Sequence, residues 1–413
     1  MNQPALQDYE PILGSRALDE LRFLAKPLAQ FRACMVNSTA VGGGVAEILN
    51  RLVPLLNDVG VETSWRVIKG GQDFFEVTKA FHNGLHGQPF EFPRDGFEIF
   101  LDYNRRNAAE LQIDDDLVVI HDPQPTALIE SRPPHGHWAW RCHIDVSQPD
   151  PRVWDFLRPW VEKYEAALFS TPEFARQLSI PQYQVYPSID PLADKNRDLE
   201  PEFIRDVLER LGIPDDKPIV AQISRFDRLK DPLGVIRAFR LARRHVDCRL
   251  VLAGGGADDD PDGAQVLAEV QDAADGDPDI HILVLPPTSH LEINALQRAS
   301  TVILQKSLRE GFALTVSEAL WKRKPVIAGA VGGIPEQILH GFTGLLVHSV
   351  EGAAYQIRNL LTNTELSRRI GSYGHDRVRS EFIITRHLKR YLLLFLTMTN
   401  ANHSEVQIVH NGH

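Results

Sequence analysis

The chain is expected to fold as α/β, with two doubly wound domains facing each other across a cleft. Short apolar runs alternate with segments of helical periodicity in both halves, which favours parallel strands joined by helices. Glycine or proline turns follow several of these runs, where open α/β sheets bind ligands. With 413 residues the chain also exceeds the ~250–300 at which a single core stops growing. The expected layout is an N-terminal domain over 1–190, a connection over 191–217 and a second domain over 218–375. A helical segment over 376–413 would pack back on the first domain.

In the first half, a helical N-terminal segment precedes a strand at Arg32–Asn37 and a glycine turn at Gly42, Gly43 and Gly44. Val45, Ile48, Leu49, Leu52, Leu55, Leu56 and Val59 then repeat with helical spacing, with Pro54 as a bend and Gly60 as the stop. Strand, glycine loop and helix is a phosphate-approach form, because glycines let a ligand come close to backbone amides. It matches neither GxGxxG nor GxxxxGK[ST], and a plain tight turn explains it as well. Thr63–Lys69 reads as a strand and Phe74–Leu85 as a helix. The apolar run Leu117–Ile120 stops at His121, Asp122 and Pro123. His137–Ile144 reads as a strand on which Arg141, His143 and Asp145 alternate and share one side, since strand side chains repeat every two residues. A core histidine or a loop cap is the plainer account of His143, His121 and Asp122. A helix over Pro151–Glu165 precedes a strand at Ala166–Ser170.

Prolines and mixed charges around a short helix between Tyr186 and Pro218 look like an interdomain connection. A second series of strands follows at Ile219–Ser224, Arg249–Ala253, Ile280–Leu285, Thr301–Gln305, Pro325–Ala328 and Gly344–Val347. The rest is mostly helical, clearest at Thr364–Ile370 and Arg386–Met398.

Composition excludes several classes. A formal charge of −11 argues against a nucleic-acid or anionic-membrane surface. No signal peptide is visible in the first thirty residues, and Tyr391–Leu396 is far short of the ~20 apolar residues of a membrane helix. Cys34, Cys142 and Cys248 form no CxxC pair, which fits a reducing cytosol and a cytoplasmic location. The acidic runs Asp114–Asp116 and Asp258–Asp262 invite a Mg²⁺ reading but fit solvated turns better, so no metal is expected.

The chemistry concentrates in Gln305–Leu320. Glu310 sits on a loop, and Glu318 lies one turn inside a helix whose first amides, from Ala313 to Val316, form an anion site. Two hydroxyl-binding carboxylates beside a phosphate site suit a nucleotide sugar, although an acidic helix start is an equal reading of this stretch alone. Arg225 and Lys230, at the first strand-to-helix junction of the second half, supply the charge a diphosphate requires.

These residues resemble the family-4 glycosyltransferases, retaining enzymes of the GT-B fold with two Rossmann-like domains. The resemblance rests on SRFDRLK at Ser224–Lys230, EGFALTVSE at Glu310–Glu318 and GGIPE at Gly332–Glu336. It implies that Arg225 and Lys230 hold the donor's diphosphate, Glu310 the donor sugar's hydroxyls and Glu318 the ribose. Gly311, Phe312, Ala313, Leu314 and Thr315 then line the donor site, with Gly43 and Gly44 contributing from the first half. Ala313 stands where the family commonly has glycine, and its methyl group narrows access to the amides. VNSTAVGGGVAEIL, FHNGLHG, HDPQP and WRCHIDVS in the first half are similar to the trehalose glycosyltransferring synthases and the related retaining trehalose phosphorylases.

That resemblance implies reversible transfer of glucose from a nucleoside diphosphate glucose to free glucose, giving α,α-trehalose. His121, Asp122, Arg141, His143 and Asp145 would shape the acceptor side. The implied partners are these small molecules alone, with no nucleic acid, no membrane and no metal cofactor, and a homodimer is the assembly considered. Three alternatives stand beside it: a trehalose phosphorylase using phosphate or glucose 1-phosphate, a nucleotide-sugar epimerase, and a non-catalytic sugar or nucleotide sensor.

Overall fold

The computed structural model describes residues 4–40, 43–88, 90–255 and 261–399, with backbone alone at 261 and 262. Its chain divides into two compact units, residues 1–186 with 384–413, and residues 187–383. The 191–217 segment, expected as a connection, counts with the second unit.

The first unit is built on a six-stranded sheet in the order β2-β1-β3-β4-β5-β6. Its strands are β1 (Ala33–Asn37), β2 (Thr63–Val67), β3 (Leu117–His121), β4 (His137–Arg141), β5 (Ala166–Phe169) and β6 (Gln182–Gln184). All pairs are parallel, with Ala33 opposite both Thr63 and Leu117. Helices Gly43–Asp58, Gln72–Leu85, Gly96–Leu111 and Pro151–Val161 connect them. Strands β1 and β3 are buried along their whole length, so they read as continuous apolar runs rather than alternating ones.

Two elements here escaped the sequence reading. The helix Gly96–Leu111 buries Asn104 and Asn107 along with Phe100, and these asparagines break the apolar period. Both are occupied: Asn107 exchanges hydrogen bonds with the backbone of Lys69 at 2.7 and 2.8 Å, and Asn104 donates to the Gln124 carbonyl at 3.1 Å. Strand β6 is a polar three-residue edge strand with no hydrophobic signal. The last helix, Ile384–Thr399, packs on Ser15–Ala25 and Gly43–Asp58 of the same unit. Leu388, Leu392 and Phe395 are buried, and Lys389 reaches Glu20 at 2.6 Å.

The second unit carries β7 (Ile219–Ile223), β8 (Arg249–Gly254), β9 (Ile280–Val284), β10 (Val302–Gln305), β11 (Val326–Gly329) and β12 (Leu345–Val347). They form another parallel sheet, in the order β12-β11-β10-β7-β8-β9. Each strand lies within a residue or two of its expected position, because parallel strands announce themselves as apolar runs, most completely the fully buried β7, β8, β10 and β11. Chain order reverses between β7 and β10, which makes their carboxyl ends the topological switch point where open sheets bind ligands. The segment after residue 187 is tied to this unit by Asn294, which donates to the carbonyls of Asp194 and Arg197 at 2.8 Å each.

Charges gather at the opposite, amino ends of these strands. Arg249, 4% exposed, pairs with Asp216 at 2.8 Å, Lys217 with Asp279 at 3.1 Å, and Arg243 with Asp277 through two hydrogen bonds. Among the described residues the three cysteines are buried free thiols, and no helix is long and apolar enough to cross a membrane. Asp114 faces Arg32 and His135, and Asp115 pairs with Arg66 at 2.8 Å. Within the other acidic run, Asp258–Asp260 lie outside the described residues.

The Arg243 hydrogen bonds hold the Asp277 carboxyl below its usual range. A depressed carboxyl adds stability above the unfolded pKa of about 4 that is lost as pH falls through the folded value. Asp277→Asn should therefore lower stability by roughly 2 kcal/mol at pH 7, with the difference from the parent shrinking below pH 4. Urea unfolding at both pH values checks this.

Candidate active site

At the switch point of the second unit, the loop after β7 and the loop after β10 lie side by side. The Leu308 amide donates to the Leu229 carbonyl at 2.7 Å, and the Lys306 ammonium pairs with Asp231. Asp231 also caps the helix Pro232–Arg243 through the Gly234 amide at 3.0 Å, from a left-handed backbone with φ 49°. Gln222, in β7, donates to the Lys230 carbonyl at 3.0 Å and accepts from the Lys306 amide at 3.4 Å. Two glycines let these loops press onto their neighbours. A methyl group on Gly254 would overlap the Ser224 carbonyl, and one on Gly332 would overlap the Glu310 carbonyl.

The result is a buried carboxylate with fixed orientation. Glu310 is 7% exposed, and its Oε1 accepts from Lys230 Nζ at 2.6 Å, Ser307 Oγ at 2.8 Å and Gln305 Nε2 at 3.0 Å. Three donors, one of them charged, offset the cost of burying the anion. All three go to one oxygen, which leaves Oε2 with its lone pairs for a ligand. Lys230 has two further N–H donors beyond this bond. Arg225, on the same loop, is 65% exposed and stands 3.5 Å from Asp227.

After Glu310 the chain passes through Gly311 and the buried Phe312 to Ala313, which opens the helix Leu314–Trp321. No side chain caps that helix, so its first amides, around Leu314 and Thr315, have no side-chain acceptor. Ala313 holds φ 65° and ψ 70°, the left-handed region in which a side chain costs roughly 1–2 kcal/mol and glycine is at ease. The position where the family commonly has glycine is thus one whose backbone favours glycine. Glu318 is 6% exposed and meets Gln297 Nε2 at 3.5 Å. Beneath it, Lys322 donates to the Glu318 carbonyl at 3.1 Å and to Asn196 Oδ1 at 3.0 Å. Burial pushes the Lys322 ammonium down to about 7, against the pull of Glu318.

The first unit gathers its own polar group at the ends of β3 and β4. His121 Nδ1 and His143 Nε2 are 3.0 Å apart, with the rings stacked at 5.3 Å. One ring lends an N–H and the other a lone pair. Burial, reinforced by the nearby Arg141 charge, drives His121 down to about 3 and His143 well below its usual value, so both are neutral. Asp122, at φ 66°, accepts the His143 amide at 2.7 Å, and desolvation raises its carboxyl to about 6.

The expected strand through Ile144 ends instead at Arg141. There the Arg141 carbonyl takes the Asp122 amide at 2.7 Å, and the chain leaves the ladder. Arg141, His143 and Asp145 therefore do not share a strand face. Arg141 is fully buried and donates to Ser170 Oγ at 3.0 Å and the Val185 carbonyl at 2.6 Å. Asp145 is buried in a turn, accepting from the Ser147 amide at 2.9 Å and its hydroxyl at 2.6 Å. Gly43 and Gly44 are exposed at the start of the Gly43–Asp58 helix, and Gly43 has open space around it. Gly42 lies outside the described residues.

Sequence reasoning missed Gln222, Gln305, Ser307 and Lys322 as site residues. Their contacts join segments that only folding brings together, and the spacing of Ser307 and Glu310 was the one signal within reach.

Replacing Ala313 by glycine should raise stability by up to about 1 kcal/mol, strain relief exceeding the added freedom of the unfolded chain. Thermal denaturation measures it, and a loss of 1 kcal/mol would remove the strain argument. Lys322 yields a pH test. Its folded value of about 7 lies below the usual 10.5, so the unfolded chain binds the proton more readily between them. Its contribution to stability rises with pH across that window and is lost on acidification. The Lys322→Met variant should unfold in urea without that rise, seen as a difference from the parent.

Comparison with known proteins agrees with this geometry. Residues 35–176 match the family described as "Trehalose synthase, N-terminal domain", and residues 204–377 match "Glycosyl transferases group 1". A trehalose synthase of Pyrococcus horikoshii is 43% identical, covering 94% of this chain and 95% of its own length. A trehalose phosphorylase of Pleurotus pulmonarius is 27% identical over 91% of this chain but only 58% of its own. Among solved structures, sucrose-phosphate synthase from Thermosynechococcus elongatus superposes with a TM-score of 0.71 at 18% identity, over 90% of this chain and all of that one. Two parallel six-stranded sheets and this likeness are those of a GT-B enzyme, and the chain belongs to the trehalose synthase family of glycosyltransferases.

Proposed function

We propose that this enzyme is a retaining glucosyltransferase that moves glucose from a nucleoside diphosphate glucose to the anomeric hydroxyl of free glucose. The product is α,α-trehalose, the reaction is reversible, and no metal takes part. The observation that carries the reading is the Lys230–Glu310 pair at the switch point, beside an uncapped helix start. It supports the reading because Glu310 contacts one of the cations proposed for the diphosphate, just ahead of the helix amides that would complete that site.

In this reading Arg225, Lys230 and the amides around Ala313, Leu314 and Thr315 stabilise charge as it grows on the leaving diphosphate. Glu318 takes the ribose hydroxyls, and Glu310 Oε2 takes a hydroxyl of the transferred glucose. The bond from the anomeric carbon to the diphosphate breaks as the acceptor oxygen bonds to that carbon on the same face. The acceptor's proton passes to a departing phosphate oxygen. A double displacement through Glu310 is disfavoured, because three hydrogen bonds to the carboxylate, one from an ammonium, withdraw its charge and weaken it as a nucleophile. The acceptor half of the reaction is assigned to the first unit, where Asp122, when ionised, accepts a hydrogen bond from a glucose hydroxyl and so orients it, and the neutral His143 offers a further hydrogen bond.

A second reading, phosphorolysis of trehalose, is favoured by the likeness to the phosphorylase. Incubating trehalose separately with UDP, ADP, GDP and phosphate tests both. A nucleotide sugar among the products supports the synthase, and glucose 1-phosphate from phosphate alone supports the phosphorylase.

The Lys230→Met variant should lose about a hundredfold or more in kcat, the scale of removing one transition-state donor. Full turnover would remove the diphosphate role. Activity should be undiminished in EDTA. Turnover should also fall as pH drops through about 6, where Asp122 takes up its proton, and a pH–rate profile with no acid limb there would contradict its role.

A further inference from the structure

Three donors converge on Glu310 Oε1, and two of them do not belong to the charge arrangement that would meet a diphosphate. Gln305 ends β10, paired with Ala328 of β11, and is 2% exposed. Ser307, 3% exposed, stands two residues further on. Gln305 Nε2 donates to Ser307 Oγ at 3.0 Å and to Glu310 Oε1 at 3.0 Å, and the serine hydroxyl donates a hydrogen bond to the same carboxylate oxygen at 2.8 Å. The triangle admits one amide orientation, since the flipped amide would set a carbonyl oxygen against the carboxylate.

That orientation leaves Gln305 Oε1 buried without a hydrogen-bond partner. A buried amide with an unsatisfied acceptor is costly to the fold, so the stability gained from Gln305 does not by itself account for its place there. Lys230 alone would neutralise Glu310 but, on a flexible stem with a point charge, would not fix which oxygen faces the ligand. Gln305, held by the strand ladder, and Ser307, two residues beyond it, select it.

We propose that Gln305, with Ser307, is a positioning residue that sets specificity for the transferred sugar. By occupying Oε1 it presents Oε2 of Glu310 at a fixed angle to one ring hydroxyl of the donor hexose. The inference rests on the assignment of Glu310 to the donor sugar. Gln305 touches no substrate and acts through Glu310 alone.

The experiment compares the parent enzyme with Gln305→Leu, Ser307→Ala, Ser307→Thr and Glu310→Gln. The donor is the nucleoside diphosphate glucose turned over fastest, alongside a set of its deoxy derivatives, each lacking one ring hydroxyl. Gln305→Leu should raise the donor KM by roughly tenfold, the scale of one hydrogen bond to a charged group. With one deoxy donor, the same one that is insensitive to Glu310→Gln, that penalty should fall to near unity. Inhibition by the free nucleoside diphosphate should be unchanged, and Ser307→Thr, which keeps the hydroxyl, should act like the parent. An equal penalty on every donor, or none on any, overturns the proposal while the donor assignment stands. If the parent itself turns over no nucleoside diphosphate glucose, the functional reading fails and takes this inference with it. Should Gln305→Leu not fold, Ser307→Ala carries the same comparison under the same criteria.

Discussion

Glu310 brings a negative charge into a place where only 7% of its surface meets solvent, and the second unit is arranged around making that tolerable. An unpaired buried carboxylate would take up a proton or destabilise the fold. Lys230, Ser307 and Gln305 prevent this, and each depends on the register of β7 against β10. Gln222 in β7 secures the Lys230 backbone, and Gln305 at the end of β10 secures the carboxylate. Lys306 and Asp231 join the two loops from behind. A shift of one residue between these strands would turn the displaced strand's side chains, its glutamine among them, to the other face of the sheet.

Stability and chemistry occupy opposite ends of that sheet. At the amino ends, Arg243, Arg249 and Lys217 meet Asp216, Asp277 and Asp279, an interlocked set of opposite charges. At the carboxyl ends the chain tolerates arrangements that work against stability: Ala313 in a left-handed backbone and Gln305 with an unsatisfied oxygen. The first unit shows the same bias at the ends of β3 and β4. There two neutral histidines share one proton position and Asp122 titrates near 6.

Much of this was legible from residues alone. Four of the six strands in the second half, β7, β8, β10 and β11, are buried on both faces, and apolar runs placed all six within a residue or two. The helix Gly96–Leu111 was hidden because Asn104 and Asn107 occupy its inner face, trading apolar contact for hydrogen bonds to neighbouring loops. β4 was read too long because WRCHI keeps its β character after the ladder has ended, where the Asp122 turn draws away the next amide. Glu310, Glu318, Arg225 and Lys230 stood out through their types and spacing. The roles of Gln305 and Lys322 did not, since a hydrogen bond from a strand end to a loop carboxylate, or from a helix end to Asn196, has no sequence period. Ala313 was visible only as a departure from a family's glycine, and the backbone supplies the reason that glycine is favoured there.

A crystal structure of the full chain with a nucleoside diphosphate glucose bound tests the central claim most directly. The account predicts a hydroxyl of the glucose within hydrogen-bond distance of Glu310 Oε2, with the Lys230, Ser307 and Gln305 bonds to Oε1 intact and the diphosphate at the start of the Leu314–Trp321 helix. Glucose density away from Glu310, or a carboxylate rotated so that Oε1 meets the sugar, would contradict it.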